Sequence, residues 1–212
     1  MKKKNFFTGS VFQFYVPEIK KYAFCKFFDF IYLSEFHGLL AQVYDHFSDK
    51  VENKLEDLTN CDWLFGPRSM HKWPNLRKDT GWKSLGILSA RGDEIVPDFK
   101  GTLSRMAEDE SKVVQWYVIH DLNGGEDCEY TQVQHLERII LTTTSIGLVM
   151  RTGMEYCRLN GLPVKDYYNL EQVGKKYMYW QMINVPLYKN IPKEIRGRAL
   201  SDKSQTDRKE NY

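Results

Sequence analysis

Two aromatic runs separated by a short break, Val11–Val16 and Lys21–Leu33, most constrain what this chain can fold into. The first alternates and is closed by Pro17. The second is longer and carries Tyr, Phe and Cys side by side. Such segments, rich in aromatic and β-branched residues, read as two strands meeting at a turn. A third candidate follows at Gly38–Phe47 (GLLAQVYDHF), whose periodicity also permits a helix. Thirteen Tyr, twelve Phe and five Trp tilt the whole chain toward sheet, because flat side chains pack well on a pleated surface.

The pattern breaks between Ser48 and Thr80. Glu52–Leu58 reads as a short helix, and GPRSMHKWPN, with two prolines, as a loop. Trp82–Leu88 resumes a strand, and EIVPDF follows an Arg91-Gly92-Asp93 turn. VVQWYVIHD (Val113–Asp121) is the strongest strand signal; Asn123-Gly124 supplies a tight turn and EDCEYTQV returns as its hairpin partner. A helix is then marked at both ends. Thr144 or Ser145 caps its start, Asn160-Gly161 and Pro163 end it, and Ile146, Val149, Met150, Met154 and Cys157 form its apolar stripe. Tyr167–Tyr179 reads as another helix, with Leu170, Val173, Tyr177 and Trp180 on one side. Strands first and helices later predict an α+β fold: a mostly antiparallel, strongly twisted sheet of five or more strands, helices mainly in the C-terminal third. One domain is expected over residues 1–198, and 199–212 is read as a polar, disordered tail.

No apolar run approaches the length of a membrane span, and no signal-peptide core follows the lysines of MKKKNFF, so the expected location is the cytoplasm. Cys25, Cys61, Cys128 and Cys157 lie far apart without a C-x-x-C pair, which favours free thiols over disulfides or zinc. Neither G-x-G-x-x-G nor a P-loop occurs, and the glycines of NGGE serve a hairpin. There is no G-x-S-x-G elbow, and Cys157 falls on a helix's apolar stripe. No cofactor or metal is expected. His120-Asp121 ends a strand without further ligands at helical spacing. A hydrolase or nuclease-like site would have to assemble His71, His120 and Asp121 from a distance.

Charge is unevenly spread. The net +2 comes from the ends, and residues 5–188 carry 20 basic against 24 acidic side chains, which disfavours nucleic acid. Between Asp93 and Glu129 ten carboxylates face only Lys100, Arg105 and Lys112. Asp93, Glu94, Asp98, Glu108, Asp109, Glu110, Glu126, Asp127 and Glu129 are therefore candidate contacts for a basic protein partner, recruited by charge complementarity. Trp116 or Tyr130, if exposed among them, would supply an aromatic anchor.

Three stretches together resemble the immunity protein 26 family of bacterial polymorphic-toxin systems. GSVFQFYVPEIKKYAFCKFFDF resembles that family's Gly-led first strand ending in Pro and its Tyr-Ala second strand, here Gly9, Phe12, Pro17, Tyr22 and Ala23. GWKSLGILSARGDEIVPDFKG is similar to its Trp–Gly strand and Pro-x-Phe element, and WYVIHDLNGGE to its late hairpin. The likeness spans residues 8–135. It implies an α+β protein that binds and neutralises a cognate toxin, often a nuclease, without catalysis or cofactor, and it carries over no site residue.

Overall fold

The computed structural model describes residues 8–29, 39–52, 54–79, 81–89, 91–102, 109–119, 125–138 and 143–199. Its centre is an antiparallel five-stranded sheet in the order β4-β3-β2-β1-β5, built from β1 (Ser10–Val16), β2 (Lys21–Asp29), β3 (Leu39–Ser48), β4 (Arg68–Met70) and β5 (Trp82–Ile87). β1 and β2 meet through a 3-10 turn, Pro17–Ile19, and Lys20 takes a left-handed φ of 53° so that Val16 faces Lys21. The two-lysine break is that turn. Gly38–Phe47 resolves as strand β3, and residues 30–38 lie outside the described residues.

Both faces of this sheet are buried, which explains why its strands read as nearly continuous apolar runs. One face sets Phe12, Phe14, Ala23, Cys25, Phe27 and Val43 against Trp82, Phe65 and Leu148. The other sets Val11, Phe24 and Tyr44 against Leu58, Trp63, Val185, Tyr188 and Ile191. A strand with water on neither side has no reason to alternate. One residue in the middle of β2 departs from the apolar rule. Lys26 is fully buried, between Val11 and Gln42 on the neighbouring strands, and its Nζ lies 2.6 Å from Glu94 Oε1 and 2.7 Å from Ser89 O. Glu94 in turn accepts from the backbone N–H groups of Arg91 and Gly92 at 2.5 and 3.0 Å. The turn that covers the sheet is thus pinned to its centre.

A smaller antiparallel sheet, β7-β8-β9, is formed by β7 (Phe99–Gly101), β8 (Trp116–Ile119) and β9 (Gly125–Cys128). It packs on the large sheet through Phe99 and Ile119 against Phe28 and Leu40. A third, two-stranded sheet joins β6 (Ile95–Val96) to β10 (Arg198–Ala199). The hairpin strands expected around residue 120 therefore pair, and Asn123-Gly124 lies outside the described residues.

The helices α1 (Tyr130–Val133), α2 (Ser145–Leu159), α3 (Val164–Tyr167) and α4 (Val173–Ile183) occupy the C-terminal half. α2 starts where Thr144 Oγ1 accepts from Gly147 N at 3.1 Å, and ends at Gly161, whose φ is +65°. It lies close on β1. A Cβ on Gly153 would sit 1.9 Å from the Tyr168 hydroxyl and 2.7 Å from a Val16 methyl.

Four expectations need correction. GPRSMHKWPN contains β4, a three-residue strand that its two prolines conceal. EDCEYTQV leaves the sheet after Cys128, because Glu129 and Gln132 form a reciprocal capping box that starts α1. Tyr167–Tyr179 is not one helix: the chain breaks between α3 and α4, Val173 is exposed, and α4 buries Met178, Gln181 and Met182 instead. Ile146 is 77% exposed, and Leu148 takes its place in the core.

Replacing Lys26 with Met leaves the Glu94 carboxylate buried without its cation. Lys26→Met alone should cost about 3–5 kcal/mol in urea denaturation, and adding Glu94→Leu should recover most of it. A single variant as stable as wild type would show that the pair does not hold the turn.

Candidate functional site

Two regions carry charge in quantity: the segment from Asp93 to Glu129, and a cleft beside α2. In the first, the structure separates residues that look alike in sequence. Glu94 and Glu110 are buried, at 1% and 0% exposure, and leave the acidic surface altogether. Glu94 holds Lys26; Glu110 sits 2.5 Å from the buried Lys100 ammonium. Burial pushes the Glu110 carboxyl above its ordinary range against the pull of Lys100, and the same burial lowers the Lys100 ammonium. Neither residue can meet a partner without unfolding its surroundings.

Asp93 stays at the surface but is engaged. Its Oδ2 accepts from Trp63 Nε1 at 3.1 Å and from Arg91 at 2.9 Å, while the Arg91 guanidinium lies 4.8 Å from the Trp63 ring centre. Asp98 is half-buried and lines the cleft. Glu108 lies outside the described residues. Asp109 is exposed and caps the 3-10 turn Glu110–Lys112, accepting from Ser111 N and Oγ at 3.1 and 2.6 Å, with Lys112 at 3.3 Å. Those hydrogen bonds from Ser111, then the Lys112 contact, hold its carboxyl below the usual range. Glu126 and Asp127 project from β9; Asp127 accepts from Gln115 Nε2 at 3.2 Å. Glu129 is exposed in its capping box. The exposed acidic set is therefore Asp93, Asp109, Glu126, Asp127 and Glu129. Trp116 is no anchor, since it is 3% exposed with the Lys100 and Arg138 cations each 5.7 Å from its ring centre; Tyr130 is half-buried beside it.

The cleft was not anticipated. It is bounded by Pro97-Asp98, His135–Glu137, Arg151 and Glu155 of α2, and the segment from Val185 to Arg196. At its base Glu137 receives two guanidinium groups, Arg68 of β4 at 2.5 Å and Arg151 at 3.0 Å. Arg151 also donates to Glu155, and Arg158 approaches Glu155 at 3.6 Å. Burial works to raise the Glu137 carboxyl, but Arg151 and Arg68 outweigh it and leave the group below its ordinary value. On the rim His135 Nε2 donates to Ile195 O at 3.1 Å, and burial lowers the His135 pKa. The enclosed volume is about 20 Å³, room for a water molecule rather than a substrate.

Sequence could have flagged the cleft only weakly. Arg151 and Glu155 stand four apart on a helix, a spacing usually seen on solvated faces. Of the dispersed catalytic candidates, His71 is exposed, and His120 and Asp121 lie outside the described residues. All four thiols are free, and burial pushes each upward, Cys157 to about 11, so none is a thiolate near neutrality. Among the described residues no group of three His, Cys, Asp or Glu could hold a metal, and no helix is long and apolar enough to cross a membrane.

No family model matches the sequence, and no match was found among curated proteins or solved structures.

A depressed folded-state carboxyl stabilises above its unfolded pKa and loses that contribution as pH falls through the folded value. Glu137→Gln should therefore destabilise by about 3–5 kcal/mol near pH 7. Its deficit against wild type should shrink in urea titrations as the pH falls below the ordinary carboxyl range toward the lowered folded-state value. A deficit independent of pH would refute the charge account.

Proposed function

We propose that this chain is a non-catalytic binding protein of the immunity type, which neutralises a basic toxin domain by docking it on the acidic surface around β8 and β9. The observation that carries this reading is the partition of charge. Each buried carboxylate has an internal cation: Glu94 has Lys26, Glu110 has Lys100, and Glu137 and Glu155 share Arg68 and Arg151. The exposed carboxylates on the small sheet and on the turn before it are not matched in this way. Asp109 has one solvent-exposed lysine, Asp127 a neutral amide, and Glu126 no ion pair among the described residues. A surface acid without an internal partner keeps its field for an approaching cation. The likeness of residues 8–135 to the immunity protein 26 family supports the same role, and a toxin-neutralising protein of that kind works in the cytoplasm of the cell it protects.

The hydrolase reading draws no comparable support. The cleft beside α2, which bears a histidine and carboxylates, has space for a water molecule, and its acids and bases neutralise one another.

The test combines Asp109→Asn, Glu126→Gln, Asp127→Asn and Glu129→Gln and measures affinity for a basic toxin domain recovered by pull-down and mass spectrometry, at low and high salt. Binding should weaken by about tenfold or more, and its salt dependence should flatten. Affinity and salt dependence equal to wild type would overturn the proposal.

A further inference from the structure

Resting on the acidic-surface reading, we propose that the outer edge of β9 is a strand-addition site, which takes an extended cationic segment of the partner as a fourth strand of the small sheet. An unpaired sheet edge offers a row of N–H and C=O groups to any extended chain. The outer edge of β4 is closed by Thr143, whose N–H donates to Ser69 O at 2.8 Å and whose carbonyl accepts from His71 N at 3.1 Å. The outer edge of β7 is closed by the segment after α1. Lys100 N donates to Glu137 O at 3.0 Å, and Lys100 bridges Arg138. β5 is blunted differently. Its register with β1 shifts at Val11/Phe12, Gly86 has a φ of +144°, and Lys83 is exposed on it.

Among the described residues β9 has no closing segment and no break in register, and its edge charges are acidic. Its pairing with β8 runs regularly over four residues, from Trp116↔Cys128 to Ile119↔Gly125. Gly125, Glu126 and Asp127 are exposed, and among the described residues nothing pairs with its outer side. The alternation of a strand sends Glu126 and Asp127 to opposite faces of the sheet. The face bearing Asp127 is flattened, because Tyr117 lies over Gly125, where a Cβ would sit 2.6 Å from its ring.

The identity of the occupant follows from these charges. A second copy would bring Glu126 and Asp127 against themselves, so the edge resists self-pairing. A strand with Lys or Arg at consecutive positions meets one carboxylate on each face while its backbone completes the edge. Backbone hydrogen bonds would give affinity and the two carboxylates selectivity, the division of labour usual in strand addition. The geometry takes any extended basic segment, and the partner needs no preformed complementary surface.

Two probes separate the edge from the acidic surface: a capped peptide with two consecutive lysines flanked by valines, and the same peptide N-methylated at every backbone nitrogen. Both carry equal charge, and only the first can add as a strand. Titrated into isotope-labelled full-length protein, the first should shift the amides of residues 125–128 and slow hydrogen exchange at the outward-facing ones. The N-methylated peptide should bind about tenfold more weakly. The variant Glu126→Gln/Asp127→Asn should bind the first peptide about tenfold more weakly, with the remaining amide spectrum unchanged as evidence of an intact fold. Equal binding of both peptides, with affinity still lost in the variant, would overturn strand addition and leave the acidic surface standing. Affinity unaffected by the double variant would overturn both. Shifts that track protein concentration without peptide would assign the edge to a second copy and overturn the proposal.

Discussion

Glu137 is the point on which the architecture turns. Its two carboxylate oxygens take Arg68 from the rim of the large sheet and Arg151 from the middle of α2, while its backbone carbonyl takes the N–H of Lys100 in the small sheet. One residue therefore ties three layers that hydrophobic contact alone would leave free to slide. Removing a partner from such a buried set costs more than the set contributes as a whole, because a desolvated charge is left behind. The role is one of specification: apolar faces can pack in several registers, whereas two guanidinium groups meeting one carboxylate permit few.

The same principle recurs on the opposite face of the large sheet, where Lys26 and Glu94 hold the Arg91–Glu94 turn over Tyr44 and Trp63. Charge in this protein divides into two populations. Interior charges are paired across elements and locate loops and helices. Exterior ones lie on turns, on β9 and on the outer faces of other elements, Lys83 of β5 and Lys176 of α4 among them. An interior carboxylate that strayed outward would leave its buried cation unpaired and weaken the core.

That division explains what could be read from the sequence. β1, β2 and β8 were legible because short aromatic runs bounded by Pro, Gly or paired lysines have few alternatives, whereas the periodicity of β3 also allowed a helix. The limits of α2 were legible because Thr144 and Gly161 announce them chemically. β4 was not, since its stability comes from Arg68 reaching Glu137, 69 residues away, and not from its own three residues. Nor could Glu110 be told from Asp109 beside it. Both are acidic in an acidic stretch, and what separates them is the position of Lys100, which only the tertiary fold fixes. The capping box at Glu129 is a Glu followed three residues later by Gln, set inside a stretch that otherwise reads as strand.

The order of the large sheet has a further consequence. β1 and β2, the most aromatic segments of the chain, occupy its inner positions, while its rims belong to three-residue β4 and to the lysine-bearing, irregular β5. Short apolar segments of high strand propensity are the raw material of cross-β aggregates whenever they become accessible. Here they become accessible only when the whole sheet is lost. Partial opening begins at a rim and uncovers the polar, interrupted strands first, so the conformations visited most often from the native state are the least able to seed a fibril.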